Sequence, residues 1–411
     1  MSEADILIIG GGIAGTSTAY HLAQRGHNVT LLERGEIASE ASGVNAGSIG
    51  AMGWGRVPDL QAYLTTGSLE IFKGLQLDLG YAIEFRQAGG LQAIHTEAQY
   101  AFARDRVLDL HAHGYGVELL TTREARSLEP EVNPVLPGCM YLPLRGQANP
   151  QKTTRAFATA AAHSGARILT QHAVTAIQAR GDNTYLVETG QGPFAAGTLV
   201  IAAGAWCSVI GAWLGLHIPI VPVRGQMWAT PSLPPRVFHT ISSAESALHW
   251  HTAPGNAADT PPELTHRGNT RLTRHLYGRQ TRDGEIIFGG DRQLVGYNKT
   301  PDPAGITVNH EHAAEVLPFL CELPIARTWA GLMPFSLDGA PLIGKLPQYK
   351  SLYMVSGLAS SGFGRGPMAG KLLADYIHSG HRHPVLAEAD PARCVTLGED
   401  TPVLAAMHRK A

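Results

Sequence analysis

The run Gly10-Gly11-Gly12-Ile13-Ala14-Gly15 lies directly after an apolar strand and opens a helix, and in that setting it could bind a dinucleotide. Its spacing is G-x-G-x-x-G, and each glycine has a separate task. Gly10 allows a tight turn, Gly12 lets the backbone approach a pyrophosphate, and Gly15 lets a helix pack closely on a strand. A helix that opens at Ile13 and Ala14 directs unpaired N–H groups and a partial positive charge at the phosphates. Glu33 stands where an acid would accept a hydrogen bond from an adenosine ribose hydroxyl. Arg34 follows it, so this motif alone leaves FAD and NAD both open.

The surrounding elements must hold that turn in place. An apolar run over 5–9 predicts a strand, 14–25 a helix stopped by Gly26, and 28–33 a second strand. Strand, helix and strand in so short a stretch form a βαβ unit with parallel pairing. A second such block opens at Asn149-Pro150, where Asn caps a helix and Pro suits its first turn. Gly165 ends that helix, and strands are expected over 167–170 and 198–202. A third block is a strand over 352–356, a glycine-dense turn and a helix from Pro367 to His378. These blocks read as pieces of one sheet. A dinucleotide domain is expected from 1–83, 149–223 and 326–394, a second domain from 84–148 and 224–325, and a tail from 395–411. The polar stretch 252–274 reads as a long loop.

Composition narrows the class of function. Charged residues are only 16% of the 411, 47 are glycine, and the net charge is −2. That composition is globular, and it offers no clustered basic surface for nucleic acid. The stretch 198–223 is long and apolar enough to be mistaken for a membrane span. Gly204, Gly211, Gly215, Pro219 and Pro222 instead divide it into strand, turn, helix and turn, so buried core is expected. Asp5, between Met1 and the first apolar run, leaves no room for a cleavable signal peptide, and a cytoplasmic location is expected. Cys139, Cys207, Cys321 and Cys394 have no CxxC spacing and read as free thiols. His249, His251, His310, His312, His381 and His383 lack cysteine or carboxylate partners at ligand spacing, so no metal site is expected.

Motifs beyond the fingerprint decide between the dinucleotides. Ala41-Ser42-Gly43-Val44-Asn45-Ala46-Gly47 follows the first unit, then Gly146-Gln147-Ala148-Asn149-Pro150 and Val200-Ile201-Ala202-Ala203-Gly204-Ala205-Trp206. Later come Tyr277, Asp283-Gly284-Glu285-Ile286-Ile287-Phe288-Gly289-Gly290, Trp329-Ala330-Gly331, Asp338-Gly339-Ala340-Pro341-Leu342-Ile343-Gly344, and the run from Gly357 to Gly370. In order and spacing these resemble the D-amino acid oxidase family, over nearly the whole chain. Its members include glycine oxidase, sarcosine oxidase and D-amino acid dehydrogenase.

The resemblance implies an α/β fold: a doubly wound Rossmann-type FAD domain built from discontinuous segments, beside a substrate domain whose antiparallel sheet roofs the flavin. It implies that Ser42, Asn45, Ala46 and Gly47 line the pyrophosphate and flavin, and that Val174 offers its backbone to the adenine. Gly204 and Trp206 close over the dinucleotide, Gly331 lies at the flavin, and Leu358, Ser360, Ser361, Gly362 and Phe363 border the pyrimidine ring. Tyr277 matches an active-site tyrosine of the glycine oxidase branch, and Arg279 shares its face of a regular strand. Arg365, before the helix expected at Pro367, would add charge at the flavin's N1–C2=O edge.

Departures from the family pattern bear on the substrate. Several members place an arginine before the proline of a Gly-Leu-x-Pro turn, where it grips a carboxylate as a bidentate pair. Here the turn is Gly331-Leu332-Met333-Pro334. An arginine expected near Ser360 and a lysine expected near Gly364 are also replaced. Arg56 is the first choice for the carboxylate partner, and Met333 suits the apolar wall of a site for N-substituted amines. The cysteine that tethers flavin in monomeric sarcosine oxidase aligns with Gly331, so FAD is expected to be non-covalent.

The expected activity is oxidation of the C–N bond of an amino acid or a secondary amine, N-substituted or cyclic, by hydride transfer to FAD. The acceptor would be oxygen or another oxidant. The rivals are a dehydrogenase subunit that passes electrons to a quinone or partner protein, a 2-hydroxy acid oxidoreductase, and a non-catalytic dinucleotide-binding protein. Homo-oligomers or partner subunits fit either enzymatic reading.

Overall fold

The computed structural model describes residues 2–50, 60–245, 247–248, 266–268, 270–271 and 275–398. Arg56 and most of the 252–274 stretch therefore lie outside the described residues. Strand β1 (Ser2–Ile9) runs into helix α1 (Ile13–Ala23), and β2 (Val29–Leu32) returns parallel to β1. Gly26, at φ +82°, supplies the left-handed turn between them, a conformation glycine adopts without steric cost.

Around this unit the chain builds a largely parallel sheet. In spatial order it holds Leu342–Lys345, Leu352–Ser356, Phe194–Ile201, β1, β2 and Arg167–Leu169. Only Leu342–Lys345 is antiparallel along that path, and a meander of Val174–Ala179 and Tyr185–Thr189 branches from Phe194–Ile201. The central strands are buried on both faces, which explains their unbroken apolar runs. Helix α1, helix Pro150–His163 and helix Gly362–Ser379 pack into one core. The meander and the short helix Cys207–Ala212 cover the other face.

A second sheet is almost wholly antiparallel. Its order is Arg327–Ser336, Ile220–Ala229, Ile286–Gln293, Tyr277–Gln280, Thr240–Ser243, Gly90–Ile94, Gly138–Leu142 and Glu118–Leu120. Its core is completed by helix Pro303–Val316. The boundaries expected at 223/224 and 325/326 do not coincide with breaks in this sheet. Ile220–Ala229 runs unbroken across the first, and Arg327–Ser336 pairs with it over its full length just beyond the second.

The apolar stretch 198–223 holds the end of one strand, a turn, the helix Cys207–Ala212 and the start of the next sheet, as its punctuation implies. Among the described residues no helix is long and apolar enough to cross a membrane. All four cysteines are free.

Candidate active site

The carboxyl end of β1 opens on a cavity of about 450 Å³ lined by both sheets. Gly10 turns there at φ +119°, and a Cβ on it would stand 2.4 Å from the carbonyl oxygen of Ala202. A Cβ on Gly15 would meet the carbonyl oxygen of Gly10 at 2.1 Å. These contacts hold the turn against the sheet and leave the N–H groups of α1 facing the cavity. Ser42 supports them: its Oγ accepts from the Ile13 N–H at 2.9 Å. The buried Glu33 carboxylate accepts from the N–H groups of Gly11 at 2.7 Å and Gly35 at 2.8 Å.

Gly10, Gly12, Ile13, Ala14, Glu33, Arg34, Ser42, Asn45, Val174, Gly204 and Trp206 all line this half of the cavity. Arg34 lies 3.8 Å from the centroid of the Trp206 ring and donates to Glu40 at 2.6 Å. Trp206 stacks in turn on Tyr297, which comes from the loop after the antiparallel strand Ile286–Gln293.

Leu358, Ser360, Ser361, Gly362 and Phe363 line the other half. Here the structure corrects a boundary. The helix expected from Pro367 begins at Gly362, with Pro367 inside it. Glycine and proline disfavour helix, so composition suggests a turn. Tertiary packing prevails: a Cβ on Gly366 would stand 2.6 Å from Ile13, and one on Gly370 would stand 2.7 Å from the Ala14 carbonyl oxygen. The helix N-terminus therefore opens directly on the cavity. Ala359, just before it, is held at φ +50°, a costly conformation for a non-glycine residue and one that clusters at ligand clamps.

Several candidates stand behind the cavity wall. Arg365 is buried and donates to Gln61 at 2.9 Å, so its charge is not delivered to the cavity as expected. Arg279 does lie on the same strand as Tyr277, but its Nε donates to the carbonyl of Ala46 and its Nη2 to that of Ala148. It braces the Asn45-Ala46-Gly47 turn from behind, and burial with neighbouring Arg86 lowers its pKa to about 10. Asn45 closes the same turn, accepting from the Gly47 N–H at 2.8 Å. Gly331 packs on Val44, where a Cβ would stand 2.5 Å from its methyl carbon. Gly15, Ala46, Gly47, Gly331, Arg279 and Arg365 are thus structural neighbours of the cavity and do not line it.

The roof is made by Tyr277, His275, Leu276, Met333 and the strand Thr240–Ser243. Tyr277 donates to Met227 Sδ at 3.4 Å, and burial raises its pKa. His275 accepts from Arg292 Nη2 at 3.1 Å and is held neutral, its pKa pushed well down by burial first and by Arg292 second. Arg292 also donates to Ser360 Oγ at 2.9 Å, so a guanidinium reaches that position from the neighbouring strand.

Sequence reasoning missed Arg145, Ser48 and Ser242, which also line the cavity. Arg145 stands one residue before the glycine of a quoted motif, which was the available signal. The buried hydroxyl of Ser48 and the Nε of Arg145 have no protein partner among the described residues. The orphaned Ser48 hydroxyl, two helix N-termini and a glycine cradle on one cavity fit a bound dinucleotide.

The model of the DAO family, described as FAD dependent oxidoreductase, matches residues 5–376. The chain belongs to that family. It is an FAD-dependent oxidoreductase, and its dinucleotide is FAD. A glycine oxidase of Geobacillus kaustophilus strain HTA426 is 28% identical over 394 residues, covering 91% of this chain and 92% of its own. The sarcosine oxidase subunit beta of Rhizobium meliloti strain 1021 is 26% identical, covering 92% of this chain and 85% of its own. The crystal structure of a glycine oxidase from Geobacillus kaustophilus is similar in fold, with a TM-score of 0.82 at 24% identity, over 96% of this chain and 99% of that one.

One further group of this flavoenzyme lies elsewhere. His95, His312 and Glu315 bring possible ligand atoms within 4.8 Å of one another, so His312 does have a carboxylate neighbour, three residues on in helix Pro303–Val316, contrary to expectation. None of the three lines the cavity.

Proposed function

We propose that this enzyme oxidises the C–N bond of an amino acid or a secondary amine, N-substituted or cyclic. The observation that carries the reading is one continuous cavity: the dinucleotide turn lines one half, and Tyr277, His275 and Met333 roof the other. The names of its relatives, glycine oxidase and sarcosine oxidase subunit beta, support the same reaction class. FAD, when bound, supplies the acceptor for a hydride leaving the carbon that bears nitrogen, and the oxidised substrate departs as an imine.

The protein's own residues orient the substrate and exclude water. Met333 and Leu332 present apolar surface, suited to an N-substituent or a ring. Tyr277 offers a neutral hydroxyl to the substrate. The positive end of helix Gly362–Ser379 favours negative charge in the cavity. In this reading FAD is bound non-covalently, supported by Gly331 at the position where a tethering cysteine aligns. Arg56, outside the described residues, is a further partner proposed for the substrate.

Anaerobic titration of the purified yellow protein tests this reading. The panel comprises D-amino acids, N-methyl amino acids, cyclic amino acids and 2-hydroxy acids. Bleaching of the flavin band by an amine or amino acid is the expected result. Recovery in air identifies an oxidase, and persistence identifies a dehydrogenase with another acceptor. No bleaching, or bleaching by a hydroxy acid alone, overturns the proposal.

A further inference from the structure

Met333 leaves the Gly331–Pro334 turn without a guanidinium, yet another arginine faces the cavity. Five arginines are buried among the described residues: Arg145, Arg224, Arg279, Arg292 and Arg365. Arg224 is held by Gln293 and the Thr300 carbonyl, Arg279 by two backbone carbonyls, Arg292 by Ser360 and His275, and Arg365 by Gln61. Of these five, Arg145 alone lines the cavity. The other arginine that lines it, Arg34, sits at the dinucleotide turn and is paired with Glu40.

The surroundings of Arg145 are those of a receptor for an anion. It is 7% exposed, and its Nη1 donates to the neutral Oγ of Ser242 at 2.5 Å. Its Nε has no partner, and no carboxylate of the described residues pairs with it. Burial alone lowers its pKa, to about 10, so it stays charged at neutral pH. A buried, unpaired charge is expensive, and a ligand of opposite charge offsets that cost.

Its place in the fold fits a substrate group beside the flavin loop. The pairing of Ile49 with Gly146 sets Arg145 next to Gly50. Gly50 in turn approaches Gly364 of the helix N-terminus, its nitrogen lying 3.8 Å from where a Cβ on Gly364 would stand. The backbone of Arg145 is fixed, its carbonyl accepting from the Gly89 N–H and its own N–H donating to the Leu142 carbonyl. Gly90 leaves room for the side chain, since a Cβ there would stand 2.6 Å from Arg145 Cδ.

We propose that Arg145, clamped by Ser242, binds a carboxylate of the substrate and thereby selects amino acids over amines that lack an acid group. The inference rests on the function proposed above and makes it specific. The grip on the carboxylate has moved from the Gly331–Pro334 turn to the strand-end residue Arg145.

Unreactive probes test this without turnover. Benzoate and its neutral counterpart benzamide are titrated into the FAD-loaded protein and followed by the shift of the visible flavin band. The wild type should bind benzoate at least about tenfold more tightly than benzamide. Arg145→Gln should raise the benzoate Kd about 30-fold or more and leave benzamide unchanged, and Arg145→Lys should fall between. In turnover, Arg145→Gln should raise KM for the amino acid far more than it lowers kcat. Unchanged benzoate binding in Arg145→Gln, or equal binding of benzoate and benzamide by the wild type, overturns the proposal. If Arg145→Gln does not retain FAD, Ser242→Ala replaces it: weaker benzoate binding supports the clamp, and unchanged binding overturns it. If no amine or amino acid bleaches the wild type, the broader reaction class fails, while the benzoate comparison still judges Arg145.

Discussion

The guanidinium of Arg34 lies 3.8 Å over the ring of Trp206, joining residues from the ends of two separate strands of the parallel sheet. Arg34 follows β2, and Trp206 follows Phe194–Ile201. Glu40 ties Arg34 down, and Lys299 from the other layer reaches the same carboxylate at 3.0 Å. Trp206→Ala should weaken FAD binding about three- to tenfold, the range for a partly exposed cation–π contact of about 0.5–1 kcal/mol with lost stacking added. Fluorescence titration of the apoprotein with FAD measures it. Equal affinity in Trp206→Ala and the wild type would remove Trp206 from the cofactor wall.

Glycine at position 15 is required by space and not by backbone conformation. Gly15→Ala places a methyl 2.1 Å from the Gly10 carbonyl oxygen, inside the dinucleotide turn. Loss of about 3 kcal/mol or more is expected, with loss of bound FAD. Gly197→Ala is the control, because the nearest atom to its new methyl, the Asp5 carbonyl oxygen, would be 3.8 Å away. Thermal unfolding of both variants should show a large drop in Tm for the first and little change for the second.

His21 ties stability to pH. Burial first, then Arg25 and Lys371, lowers its pKa from 6.5 to about 4. The unfolded chain therefore binds a proton that the folded one refuses. Stability is full above pH 6.5 and falls as the pH drops toward 4, by about 3 kcal/mol in all. The buried, neutral His275 acts with the same sign. His21→Asn should flatten the fall of Tm between pH 6.5 and pH 4, and an unchanged slope would refute the assignment.

Tyr277 tests the roof. Its hydroxyl donates only weakly, to the Met227 sulfur, so Tyr277→Phe should leave Tm and FAD content near those of the wild type. If the hydroxyl meets the substrate, KM should rise about tenfold, the cost of one lost hydrogen bond of roughly 1.4 kcal/mol. Steady-state kinetics with the best substrate of the panel decide it. An unchanged KM assigns Tyr277 to packing.

What the sequence made legible was local. The βαβ unit could be read because its glycines, its unbroken apolar strands and Glu33 fall within one short segment, where spacing alone fixes geometry. Asn149 was readable as a helix cap for the same reason, and its Oδ1 does accept from the Lys152 N–H. What stayed hidden depends on distant partners. Arg279 shares the strand Tyr277–Gln280 with Tyr277, but the Ala46 carbonyl that claims it is 233 residues away in sequence. The helix from Gly362 contradicts its own propensities because Ile13 and Ala14 need its glycines for close approach. Arg145 carries no local signature beside its glycine motif, since its value comes from Ser242 and the cavity.

The order of strands in the parallel sheet also governs how the chain can be made. β1 pairs with β2 at once, but its other neighbour is Phe194–Ile201, and that strand's outer partner is Leu352–Ser356. During synthesis one edge of β1 must wait, unpaired, while the segments between are translated, and the sheet closes only near the end. Pairings this distant fold slowly and leave apolar strand edges open to other chains. The free edge of β1 is therefore the strand edge left open for longest to pairing with other chains.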